Sequence, residues 1–314
     1  MPASATPQIR PRRISRRGWA IIGVVIITMA VVFSVITRLY DAEGGIRVES
    51  QLAASAGSGL ILNIDPLSVD ATRNRATLHV QVGVTGSDLI DASGRLKENT
   101  RLLVDTEEGQ LEIKFAAGSA PTQFEMVVGL DGEEAWYPFD QHHGEFLITA
   151  DTYAKGADGV LQSMGEVPVG LQGLGGVNGW DTTFAFADTF APSATGDVAF
   201  QRAFSTQAFA ILMLVLATVL STFALVVGIL VFTRRRRIEV ALLAWTASLL
   251  FSLPLLRNYM PNSPPVGAAL DIYIYLWLIA MAVTATVLVI LGWMGQNRDL
   301  LLARHDASDG HHAP

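Results

Sequence analysis

Residues 203–233 contain no Asp, Glu, Lys, Arg or His, and the run stops at four consecutive arginines, Arg234, Arg235, Arg236 and Arg237. About 20 apolar residues are enough for a helix to cross roughly 30 Å of hydrocarbon, so this stretch reads as a membrane span with residues to spare. It can tilt, or project a polar turn around Ser205, Thr206 and Gln207. Two more charge-free stretches follow at 240–256 and 272–294, and one precedes at 19–36. A mean hydropathy of +0.37 fits a chain with several such spans.

Lys and Arg are retained on the cytoplasmic side of a membrane, and here they sort cleanly. Arg10, Arg12, Arg13, Arg16 and Arg17 precede the first span, and Arg234–Arg237 follow the second. The expected order is a basic cytoplasmic N-terminus (1–18), helix 1 (19–36), an extracytoplasmic domain (41–202) and helix 2 (203–233). A cytoplasmic basic loop (234–239), helix 3 (240–256), an outer loop (257–271), helix 4 (272–294) and a cytoplasmic polar tail (295–314) complete it. Helix 1 runs on into ITRLYDAEGG with no small-residue cleavage site, so it reads as an uncleaved anchor of a multi-pass plasma-membrane protein.

Between helices 1 and 2 the pattern changes to strands. RATLHVQVGV alternates Ala76, Leu78, Val80, Val82 and Val84 with polar residues, the period of a half-buried strand. GLILNID, QLEIKF, QFEMVVGL, EFLITAD and TTFAFADTF behave alike, and six to eight strands predict an antiparallel β-sandwich-like domain. The glycines of VGLQGLGGVNGW lack the strand-then-helix context of a phosphate loop and read as a flexible loop. Residues 41–202 hold 24 Asp and Glu against 9 Lys and Arg, a charge that excludes a nucleic-acid partner. Cysteine is absent, which removes disulfides and thiolate chemistry.

One motif concentrates unusual residues: EEAWYPFDQHHGE, residues 133–145. Pro138 fixes φ, Asp140 suits a turn, and Tyr137 and Phe139 are expected to pin the corner to the domain core. The same four residues can form a partner contact. A weaker alternative is a metal site from Asp140, His142, His143 and Glu145, although neighbours on a strand face opposite ways. On the corner reading, changes at Asp140 and at Phe139 destabilise and changes at either histidine do little.

No catalytic signature of the GxSxG, HExxH or P-loop kind is present, no cofactor is implied, and the spans lack the buried charges of a pump. WYPFDQHHGEF, set in a β domain between one anchor and three helices, resembles the DUF4436 family of uncharacterised, mainly actinobacterial membrane proteins, over nearly the whole chain. Tyr137 to Asp140 is also similar to the FPFD-type turn in the β-sandwich of pentameric ligand-gated channels. Three readings follow: a non-enzymatic envelope component that binds or positions a partner protein, a self-associating channel-like oligomer, and an envelope hydrolase. In each, membrane lipids are partners, with Arg234–Arg237 near the headgroups.

Overall fold

The computed structural model describes residues 58–296 except 158–159, 187–189, 236–238 and 263, together with scattered helical residues between 16 and 38 and the backbone of 297–309. Residues 1–44 cluster as a unit apart from 45–314. Half of the residues of the expected first spanning helix at 19–36 lie outside the described residues.

Eleven strands form two sheets among the described residues. The smaller has the order β5 (Phe124–Gly129), β2 (Arg75–Thr85), β1 (Gly59–Asp70), β9 (Val169–Gly173). The larger runs β10 (Trp180–Phe186), β11 (Ser193–Arg202), β7 (Gln141–Lys155), β3 (Thr100–Thr106), β4 (Gly109–Phe115). Short β6 (Asp131–Gly132) and β8 (Leu161–Glu166) also pair with β7. Alternate residues of both sheets, including Leu62, Ile64, Leu78, Val80, Leu102, Val104, Ile148 and Val198, meet in one apolar core, which makes the region sandwich-like.

Three sequence expectations change here. The sandwich is not wholly antiparallel, because β9 pairs with β1 in parallel. That strand comes from the glycine-rich segment read as a loop. Gly173 permits it, since a Cβ there would come within 2.2 Å of the Phe184 ring. β4 alternates in sequence but fully buries only Phe115, with Ile113 partly buried against the core, because it is the edge strand. On this edge Glu112 bridges both Lys114 and Arg101 of β3, charges that discourage further strand pairing.

β11 passes directly into a helix: Arg202 ends the strand and α1 (Phe204–Phe232) begins two residues later. α2 (Val240–Asn258) and α3 (Leu276–Asp309) follow, the latter entered through a π turn at Asp271–Tyr275. All three are long and apolar enough to cross a membrane. The third continues as helix past residue 294, where a polar tail was expected. α1 packs along α3 through a stripe of Ala210, Ala217, Ala224 and Gly228, small residues that let two helices approach closely. A Cβ on Gly228 would lie 2.9 Å from the Ala285 carbonyl oxygen. At the far end of α1 the chain turns with Arg234 at φ 58°, while the Arg235 amide donates to Leu230 and the Arg234 amide to Val231. This is the Schellman pattern that satisfies the last carbonyls of a helix.

Candidate functional site

The motif at 133–145 lies where the sandwich meets the helices. A 3-10 turn, Glu134–Trp136, is held by the Trp136 indole donating to Glu133 (2.7 Å), and the Phe139 amide then donates to the Trp136 carbonyl (2.8 Å). The Tyr137–Pro138 peptide is cis. Tyr137 is buried, but against helices rather than in the sandwich core: its ring packs with Ala210, Met260, Leu270 and Tyr275. Its hydroxyl donates to the Pro261 carbonyl in the α2–α3 loop (2.9 Å). Removal from water pushes the phenol up to about 12, so Tyr137 keeps its proton.

Asp140 immediately precedes β7, and the register of β7 with β11 carries Gln141 opposite Gln201 and His142 opposite Phe200. Arg202 is thereby brought to Asp140. Arg202 Nε donates to Asp140 Oδ1 at 3.0 Å and its terminal nitrogen to Oδ2 at 3.0 Å, a bidentate pair. His142 Nε2 lies 3.0 Å from Asp140 Oδ2 and donates to it. The Arg202 guanidinium sits 4.1 Å from the Trp180 ring and 5.0 Å from the Tyr137 ring. The side chains of Asp140, Arg202 and His142 are at most 2% exposed. Burial pushes the Asp140 carboxyl up, but hydrogen bonds from His142 and Arg202 outweigh it and hold the group below the usual carboxylate range.

The same corner fastens the start of α1. The Gly179 carbonyl accepts from the Ala203 amide (3.0 Å) and the Thr206 hydroxyl (3.1 Å), and the Gln207 amide group donates to the Arg202 carbonyl (3.0 Å). A second bidentate pair, Arg257 with Asp271 (3.0 and 2.7 Å), braces the α2–α3 loop, where Arg257 also donates to the Pro265 carbonyl.

Placement of the candidate residues departs from expectation in two ways. Phe139 is 59% exposed and anchors nothing in the core. His142 is fully buried and bonded, where little consequence was expected of it. β7 alternates, so His143 and Glu145 point to the outer face while His142 points inward. The four candidate metal ligands therefore do not converge, and among the described residues no group of three His, Cys, Asp or Glu is placed to hold an ion. Arg234 and Arg235 are exposed at the opposite end of α1, while Arg236 and Arg237 lie outside the described residues.

Sequence reasoning missed Arg202, Trp180 and Pro261. One signal was available: Arg202 is a lone charge set directly against the charge-free run, and such a charge needs a partner. Residues 50–200 match the model of a domain of unknown function, DUF4436. The β region is similar to the DUF4436 family. A separate domain of unknown function, DUF8686, matches residues 202–296. The DUF4436 match thus stops where the helices begin, short of the nearly whole-chain likeness expected. The Asp140–Arg202 pair straddles that boundary, with its acid inside DUF4436 and its base at the first residue of DUF8686. The chain matches no curated protein.

Proposed function

We propose that this is a non-enzymatic membrane component in which three helices cross the bilayer and hold the DUF4436 domain in a fixed attitude outside the cytoplasm, where it binds or positions an envelope partner. The observation that carries this is the joint itself. A single residue separates β11 from α1, Asp140 clamps Arg202 at that point, and Tyr137 reaches across to Pro261. Such a junction transmits orientation and leaves little freedom for a tether.

Sidedness follows from charge. The joint end of the helices carries two arginines, Arg202 and Arg257, each paired with an aspartate, and the orienting bias counts Lys and Arg rather than net charge. Arg234 and Arg235 lie at the other end, and in sequence they open a run of four arginines, 234–237. Burial also bears on chemistry. Asp140 and His142 are the nearest thing to an acid–base pair in the motif, but neither touches solvent, so neither meets a dissolved substrate.

A channel-like oligomer is the second reading, favoured by the contact of the Tyr137–Asp140 turn with the loop between two spanning helices. Native mass measurement after extraction in mild detergent separates the two. A stoichiometric complex with a second polypeptide supports the positioning role, a ring of this chain alone supports the channel reading, and a bare monomer contradicts both.

A further inference from the structure

Two large aromatics flank the joint without taking part in it. Trp136 is 57% exposed and Phe139 59%, on either side of the buried Tyr137. They border an open groove of about 430 Å³, with Asp131, Glu133 and His143 on its other walls. The Trp136 ring is held by its indole bond to Glu133, and the Phe139 backbone by its amide bond to the Trp136 carbonyl. The indole thus has its polar partner within its own turn and presents its apolar face outwards.

Their depth can be read from the helices. α2 runs from Val240 to Asn258, about 28 Å at 1.5 Å per residue, close to the thickness of the hydrocarbon layer. Its end at Asn258 therefore marks the boundary of that layer, and Pro261, to which Tyr137 is bonded, falls in the headgroup zone. Tyr259 and Tyr273 are exposed at this level and Trp277 slightly deeper, an arrangement that matches an interfacial aromatic belt. Trp136 and Phe139 flank Tyr137, whose ring packs on Met260, Leu270 and Tyr275 at this level, but come from the β domain.

We infer that Trp136 and Phe139 form a lipid-contact site, resting on the leaflet at the boundary between headgroups and acyl chains and fixing the tilt of the domain. The occupant is lipid because the site continues the belt of the spanning helices. Asp131 and Glu133 beside it disfavour anionic headgroups, so the surface suits zwitterionic lipid. This rests on the reading that the helices cross a bilayer, and the test separates the two.

Because the chain has no cysteine, single sites can be labelled in the full-length protein. The variants are Phe139→Cys, Phe251→Cys on the exposed face of α2, and Met164→Cys on β8, which pairs with the end of β7 far from the joint. Each carries a small fluorophore in nanodiscs of phosphatidylcholine, with quenching by shallow spin-labelled lipid and by aqueous iodide. The expected result is lipid quenching at 251 and 139 and iodide quenching alone at 164. Lipid quenching at 251 with only iodide quenching at 139 overturns the inference and leaves the membrane reading standing. A label at 139 shielded from both quenchers places a protein surface there, a second copy included, and also overturns it. Loss of lipid quenching at 251 brings down the membrane reading and the inference with it.

Discussion

Asp140 and Arg202 form a buried ion pair with His142 hydrogen-bonded to the acid, and each residue depends on the others. Removing one member leaves charge or polarity stranded out of water, which costs far more than the pair's net contribution. Asp140→Ala in the full-length chain is expected to lose about 3 to 5 kcal/mol in thermal or denaturant unfolding. Phe139→Ala is expected to stay within about 0.5 kcal/mol, because its ring is exposed. Loss of a core-facing Phe139 would instead cost about 3 to 5 kcal/mol. pH dependence follows from the depressed Asp140 value: the stabilisation is fully present above the ordinary carboxylate pKa, about 4, and is lost as pH falls through the lower folded value. Melting curves of the parent and Asp140→Asn should therefore converge as the pH is lowered towards 3, and a gap constant from pH 7 to 3 would contradict the assignment. At this scale the sequence marked Tyr137 and Asp140 as special but not their partners. Arg202 lies 62 residues from Asp140, and no local pattern joins positions that only strand register brings together.

Strands with unbroken alternation were legible. Ala76, Leu78 and Val80 of β2 and Met126 and Val128 of β5 face the core as their spacing predicts. β11 was hidden because its inward positions include Gly196, which leaves room for the Phe146 ring and erases the apolar signal there. β9 was hidden for the same physical reason at Gly173. The apolar helices were legible from length, whereas their mutual packing was not, since small residues carry no strong pattern. That packing makes a prediction: Gly228→Leu must push α1 off the Ala285 backbone and should cost at least about 1 to 3 kcal/mol in detergent unfolding. The Arg257–Asp271 pair is testable by a double-mutant cycle with Arg257→Met and Asp271→Leu. A coupling of about 0.5 to 3 kcal/mol is expected, and none would mean the pair does not brace the loop.

For the whole molecule the account requires a defined sidedness and a defined attitude. Cysteine placed at Gly94, in an exposed turn, should react with an impermeant maleimide in intact cells, whereas cysteine at Glu239 should react only after permeabilisation. The reverse pattern would invert the charge argument and place the β domain inside. The attitude of the domain is the central claim, and a distance measurement reaches it most directly. Spin labels at Met164→Cys on β8 and Val266→Cys in the α2–α3 loop, both exposed, report the domain against the helices. In nanodiscs the account predicts one narrow distance distribution, broadened when Tyr137→Ala removes the plug and its bond to Pro261. A broad distribution in the parent protein, or a narrow one unmoved by Tyr137→Ala, would contradict the joint.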